Sequence, residues 1–221
     1  MESSLHKQLK QLYADDGAEI EWKLGKYRID VVSDDELIEI QHGSLAAIRD
    51  KVADLTRNHR MLVVKPLVVR KRLVKLDAKG GRVVSRRLSP KKGDVLDLFD
   101  ELVYFTRVFP HPNLTLETPL VEIEEWRYPG HGRRRRRRKN DLVVEDQKLL
   151  KLQTIHSFRT AADLLRLIPA DLPTPFHTAH LAQAMGISRT KAQQIAYCLR
   201  QTAALQVCGK HVNARLYRRS A

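Results

Sequence analysis

The sequence predicts an α/β protein, with a mixed sheet flanked by helices over residues 1–150 and a smaller, mainly helical domain over 151–221. Three observations predict it. Residues 4–69 run through a helical pattern, three short strand patterns, a second helical pattern and a fourth strand. From about 160 onward, short helical patterns are punctuated by Pro169, Gly186 and Ser188 and end in a short hairpin. Between the two lie strand-like segments and a run of six arginines, Arg133–Arg138.

Within the first part, Leu5, Leu9 and Leu12 recur at helical spacing from Ser4 to Tyr13, and Asp15-Asp16-Gly17 stops that helix. Ala18–Leu24, Tyr27–Val32 and Glu36–Gln41 are expected strands, joined at Gly25-Lys26 and Ser33-Asp34-Asp35 by hairpin punctuation. Ser44 can cap a helix over Leu45–Thr56 with Ile48, Val52 and Leu55 on one face, and Arg60–Val69 follows as a strand. Arg70–Leu88 is expected as a basic hairpin turning at Lys79-Gly80-Gly81, and Asp94–Phe109 as a helix. Leu114–Trp126 is expected as a strand pair and Val143–Leu152 as a returning strand.

In the second part, Ala161–Ile168 is expected as a short helix, and Thr178 is placed to cap another over Ala179–Met185. Gly186-Ile187 then turns the chain, and Ser188 caps a longer helix, Arg189–Thr202. Leu205–Cys208 and Ala214–Tyr217 close it as a two-stranded hairpin. This order of short helix, glycine turn, longer helix and basic hairpin resembles the winged helix-turn-helix.

Charge narrows the partners. Lys and Arg number 40 against 26 Asp and Glu, a net +14, while 43% of residues are hydrophobic. Such a globular, strongly basic chain favours a polyanion, since each phosphate neutralised releases a counterion. DNA is the expected partner, RNA ranks behind it, and a homodimer is left open. No apolar run approaches the ~18 residues of a membrane span, and Met1-Glu2-Ser3-Ser4 opens no signal peptide. The expectation is an intracellular, cytoplasmic protein, associated with the nucleoid if it binds the chromosome. Cys198 and Cys208 are too few for a disulfide framework or a zinc site and are expected to pack. His42, His59, His111 and His131 lack metal-ligand spacing, and Trp22 and Trp126 are expected to be structural.

The stretch with chemistry in it is Tyr27-Arg28-Ile29-Asp30 followed by Glu36-Leu37-Ile38-Glu39-Ile40-Gln41. Alternation along a strand sends Glu39 and Gln41 one way while Ile38 and Ile40 enter the core. Asp30, on the neighbouring strand of the hairpin, is then close enough to share a site with Glu39. Two carboxylates from adjacent strands suit a hard cation, Mg2+ or Mn2+, which prefers oxygen ligands. The plainer alternative is that both are solvated residues on the polar face of a sheet.

This stretch, in its order of elements, resembles the PD-(D/E)XK nuclease superfamily over roughly residues 2–68. The resemblance implies an α-β-β-β-α-β core with Asp30 as the motif Asp and Glu39 as the motif Glu, both holding metal. Gln41 stands where Lys is usual, as in the Glu-x-Gln variants of restriction endonucleases and CoiA-like competence proteins. Arg49 or Lys51 on the following helix would then supply the missing cation, and Glu2 on the first helix would complete the catalytic set. The implied activity is Mg2+-dependent endonucleolytic cleavage of DNA, and the alternative is a DNA-binding protein whose nuclease fold is vestigial. The order of nuclease and winged helix also resembles the endonuclease subunit of heteromeric transposases.

For the second part, the winged-helix resemblance implies that Arg189, Thr190, Lys191, Gln193 and Gln194 face DNA. Arg and Gln would read base edges and Lys191 phosphate. Lys210, His211 and Arg215 on the wing would meet phosphate or the minor groove. Arg133, Arg134, Arg135, Arg136, Arg137 and Arg138 are expected to touch the phosphate backbone, a nuclear address signal being the other use of such a run. A protein-binding role for the winged helix is the alternative there.

Overall fold

The computed structural model describes residues 2–130 and 141–220. The chain is α/β, with an eight-stranded mixed sheet, helices against it, and a separate two-stranded sheet near the C-terminus. The first helix, α1 (Ser4–Tyr13), starts where the Ser3 hydroxyl accepts the His6 N–H. It buries Leu5 and Leu9 completely, each a contribution of about 1.5–3 kcal/mol by area removed from water. Leu12, expected on the same face, is half exposed, and Lys10 is buried in its place.

Three antiparallel strands follow, β1 (Glu19–Leu24), β2 (Tyr27–Ser33) and β3 (Glu36–Ile40). The expected helix over Leu45–Thr56 is shorter: a 3-10 turn at Leu45–Ala47, capped by Ser44, leads into α2 (Arg49–Leu55). Next, β4 (Arg60–Val64) lies parallel to β3. The strand expected to run on to Val69 breaks at Lys65-Pro66, and β5 (Leu67–Leu76) begins beyond it. Proline has no N–H for the ladder, and the Lys65 side chain turns inward there to meet the His42 and Gly43 carbonyls.

The basic hairpin is present as β5 and β6 (Val83–Leu88). The helix expected over Asp94–Phe109 is a capped 3-10 turn at Val95–Asp97 and a short α3 (Leu98–Leu102). In place of the expected strand pair stands one long strand, β7 (Leu114–Pro129). It pairs in parallel with β4 through Leu114–Glu117 and with β5 from Leu120 onward. Its other edge carries β8 (Leu142–Phe158), antiparallel, with the register shifting just after Pro119. The expected division at 150/151 falls inside β8, whose residues 151–158 are paired into the large sheet.

The remaining elements are α4 (Ala161–Leu165), α5 (Thr178–Met185), α6 (Arg189–Gln201) and the hairpin β9 (Leu205–His211) and β10 (Ala214–Arg219). Gly186 ends α5 at φ +63°, a conformation that favours a residue without Cβ, and Ser188 caps α6. His177, not Thr178, caps α5: its Nδ1 accepts the Ala179 and His180 N–H groups.

Two apolar layers sandwich the sheet. Leu5, Leu9, Val31, Ile38, Ile40, Val64, Val121 and Ile123 form one under α1. On the opposite face Ile29, Leu37, Met61 and Val63 pack with Val52 and Leu55 of α2 and with Phe99, Leu102 and Phe105. That layer continues without a break into Ile195, Ala196, Cys198 and Leu199 of α6, so the C-terminal helices share a core with the sheet.

Candidate active site and basic groove

Regular pairing of β2 with β3 ends at Val31–Ile38. Beyond it β2 turns over: Ile29 belongs to the apolar layer opposite the one that holds Val31, although strict alternation would put both on one face. Asp30 sits at this turnover. One carboxylate oxygen accepts the Ile40 N–H at 2.8 Å, filling the place of a lost ladder bond, and the other lies 3.1 Å from His6 Nε2. Burial alone would raise the Asp30 pKa, yet the hydrogen bonds from His6 and Ile40 outweigh it and hold the carboxyl below its ordinary value. His6 is raised in turn, first by the Asp30 hydrogen bond and against its own burial.

Glu39 stands across the gap from Asp30 and is 8% exposed. Its carboxylate accepts a 2.5 Å bond from Lys51 Nζ, which also donates to the Arg28 carbonyl. Burial pushes Glu39 above the ordinary glutamate value despite Lys51, and the charge of Asp30 adds to the rise. Of the two cations expected to replace the motif lysine, Lys51 therefore reaches Glu39, whereas Arg49 pairs with its neighbour Asp50. Gln41 takes another role from the expected one: its amide donates to the Ser44 carbonyl at 2.8 Å and braces its own loop.

Glu2, expected on the first helix, lies just ahead of the α1 cap Ser3, 3.4 Å from His6 and 2.5 Å from the buried Lys10. Lys10 also binds Glu21, which in turn binds Arg28. The result is an alternating chain of charges from Glu39 and Lys51 around to Arg28, with Asp30 and His6 beside the gap. Its contacts divide: Asp30 engages α1 through His6, and Glu39 engages α2 through Lys51.

His42 sits beside the site, as its place in the sequence suggests, but its burial and the lysine that holds its loop were not foreseen. His42 Nε2 is buried without a hydrogen-bond partner, and the His42 ring centre is 6.2 Å from that of His6. Burial, with help from the charges of His6 and Lys65, depresses His42 to about 4. Lys65, 4% exposed, pins the His42 and Gly43 carbonyls and lies 3.6 Å from Glu101 of α3. Glu101 also accepts the Leu45 N–H at 3.0 Å. A histidine and a lysine flanking strand ends, as His42 and Lys65 do, were the only available signal.

Could a divalent cation fit? Among the described residues, no three His, Cys, Asp or Glu side chains group so as to hold one. The donor set at the gap is two hard carboxylates, one buried with a raised pKa, and both are now balanced by exchangeable cationic groups. That suits Mg2+ or Mn2+, which keep water in the remaining positions.

In the C-terminal part, Arg189, Thr190 and Gln193 are exposed on α6, as are Lys210 and Arg215 on the hairpin, and Gln194 is half-buried. Lys191 is not turned outward as expected. Its Nζ bonds Asp100 at 2.7 Å and approaches Asp97 at 3.6 Å, tying α6 to the start of α3. Cys198 is buried and its thiol meets the Phe99 carbonyl, whereas Cys208 is exposed and does not pack in a core. Arg133–Arg138 and His131 lie outside the described residues. An open cleft of about 680 Å³ runs between α6, the first turn of α5 and the tip of the hairpin. Arg189, Arg200 and Arg215 line it, and its lining contains no carboxylate.

Fold and sites thus define an α/β protein with a charged gap at the head of its sheet hairpin and a cationic groove beyond it. The chain belongs to a family described as a domain of unknown function (DUF8091), whose model matches residues 3–159. The match ends one residue after β8 and leaves out α4, α5, α6 and the small hairpin. No match was found among curated proteins or among solved structures. No helix among the described residues is long and apolar enough to cross a membrane.

Proposed function

We propose that the protein is a divalent-metal-dependent DNA endonuclease of the PD-(D/E)XK type, carrying a winged helix-turn-helix that holds the substrate. The observation that carries this reading is Asp30 at the point where β2 parts from β3, with Glu39 across the gap and Lys51 closing on it. The order α1, β1, β2, β3, α2, β4, with β4 parallel to β3, supports the same reading. Residues 1–150 and the start of β8's second half would be the nuclease unit, and α5, α6 and the β9–β10 hairpin the DNA-holding unit.

Asp30 and Glu39 would hold the metal. When bound, the cation supplies an activated water and neutralises charge on the attacked phosphate. Lys51 favours the ionised form of Glu39 and brings a positive charge to the place vacated by Gln41. His6, oriented by Asp30, can hold or release a proton at Nε2, and Glu2, just ahead of α1 and held by Lys10, approaches the same nitrogen. The groove beside α6 would supply affinity for phosphate, and an intracellular location at the chromosome would follow from that partner.

One observation favours a second reading, a DNA-binding protein with a vestigial nuclease fold. Asp30 and Glu39 are each already neutralised, by His6 and by Lys51, and lean toward different helices. Cleavage of duplex, single-stranded and branched DNA with Mg2+ or Mn2+, by the wild type and by Asp30→Ala, separates the two. Cutting that the variant abolishes is expected. Wild type that binds DNA but cuts none of the three substrates would leave the vestigial reading.

A further inference from the structure

We propose that the groove between α6 and the β9–β10 hairpin holds an unpaired DNA strand, so that the substrate is DNA with a single-stranded segment and not uninterrupted duplex. The inference rests on the DNA-binding reading above and names its substrate class.

The groove has the dimensions of a strand. Arg189, Gln193, Tyr197 and Arg200 recur at helical spacing and form one stripe along α6. Arg189 and Arg200 are eleven positions apart, about 16 Å along the helix axis at ~1.5 Å per residue. Too far apart to share one phosphate or two adjacent ones, they suit phosphates two or more nucleotides apart on an extended chain. Arg215, on the facing wall, makes the opposite side cationic as well.

Charge along the groove is of one sign. The sequence from Leu172 to its end contains no Asp or Glu, while Arg189, Lys191, Arg200, Lys210, Arg215, Arg218 and Arg219 fall within it. Lys191 alone of the α6 cations is neutralised, by Asp97 and Asp100 outside the groove.

Between the guanidinium groups the groove offers rings. Tyr197 is 38% exposed, its face covered on one side by Arg200 at 5.8 Å. His177 and His211 line the wall beyond, 6.3 Å apart and close to parallel. Rings set between cations are what unpaired bases stack on, and paired bases cannot reach them.

Duplex is disfavoured by shape. A helix with its side chains, about 10–12 Å across, by itself fills a major groove about 12 Å wide. Here the stripe that would have to enter is one wall of a cleft whose other wall is the hairpin tip from His211 to Arg215. At about 680 Å³ the cleft is ligand-sized, the scale of a short length of strand.

Fluorescence anisotropy with the full chain and metal withheld tests this. The probes are a twelve-nucleotide single strand, a blunt twenty-base-pair duplex, the same duplex with a six-nucleotide tail, and an RNA copy of the single strand. The tailed duplex and the DNA single strand are expected to bind more tightly than the blunt duplex. Tyr197→Ala should erase that advantage, a loss of roughly 5- to 150-fold for one stacked base, and Tyr197→Trp should restore it. Arg200→Ala should weaken the tailed probe more than the blunt one. Blunt duplex bound as tightly as tailed, or a Tyr197→Ala protein that keeps the preference, would overturn the inference while DNA binding stands. RNA that outcompetes the DNA strand would overturn the assignment to DNA. Failure to bind any probe would overturn the DNA-binding reading itself, and this one with it.

Discussion

The gap between β2 and β3 and the groove beside α6 are built on opposite electrostatic plans. At the gap, acids and bases alternate at close range: Glu2, His6, Lys10, Glu21, Asp30, Glu39 and Lys51 are joined pairwise. Lys10 and Glu39 are buried, and pKa values at the gap are displaced in both directions. In the groove, exposed Arg189 and Arg215 and half-buried Arg200 line the walls with no acid among them. Alternating buried charge fixes geometry and tunes protonation, as chemistry requires. Like charge at a surface repels itself and would be relieved by a polyanion, as the proposed binding requires. Lys191 is the exception that joins the two plans, a groove-helix cation held by the acids that lead into α3.

The comparison breaks first at the carboxylates. Asp30→Ala and Glu39→Ala are each expected to abolish cleavage while DNA affinity stays similar or rises, since each removes a negative charge. A Glu39→Ala protein that still cuts would move the chemistry away from the gap.

Next in size is the buried Lys65. Lys65→Met should destabilise the fold by about 1–3 kcal/mol, the cost of leaving the His42 and Gly43 carbonyls without their buried donor, read from urea unfolding. Glu101→Gln, which keeps the shape and can still accept the Leu45 N–H, should cost less. Equal small effects would mean that the loop from Gln41 to Leu45 is held by something other than Lys65.

The pH dependence of stability sharpens the same side. His42 has a folded pKa of about 4 against an ordinary 6.5, so the unfolded chain binds the extra proton between these values. Its contribution is full above pH 6.5 and is lost as pH falls toward 4, by up to about 3 kcal/mol. His6 works the other way: its raised pKa adds stability below 6.5 that is lost as pH rises through the folded value. His42→Phe should therefore flatten the fall between pH 6.5 and 4, and an unchanged profile would place the acid sensitivity elsewhere.

The smallest expected effect belongs to the arginine run. Replacing Arg133–Arg138 with serine should weaken binding evenly across sequences and leave cleavage at saturating DNA nearly unchanged. If three of these arginines meet phosphate, the slope of log K against log[salt] should flatten by about three units. An unchanged slope would remove the run from the interface.

Periodicity and caps made part of the molecule legible in the sequence. Ser4–Tyr13 was readable from its leucine spacing, the β1–β2–β3 hairpins from their turn residues, and α6 from Ser188. These signals are local, and so are the structures they predict. The long β7 was misjudged because Pro119 in its middle reads as a break, whereas the register shift beside it absorbs the missing N–H. His177 displaced Thr178 as a cap because an imidazole nitrogen can accept the same N–H groups as a hydroxyl. At the site, Asp30 and Glu39 were visible from spacing, and Lys51 was one of two cations within reach. Lys65, the burial of His42 and the pairing of Lys191 with Asp100 were not visible. Each depends on a contact across twenty to ninety residues, which composition and period do not record.

In the proposed reading Asp30 and Glu39, though now bonded to different helices, would close on one divalent cation. Calorimetric titration of Mn2+ into the metal-free full chain tests it most directly. One site is expected in the wild type, lost in Asp30→Ala and in Glu39→Ala alike, and strengthened in Lys51→Met, which removes the cation that competes for Glu39. Mn2+ binding that survives either alanine substitution unchanged would contradict the claim.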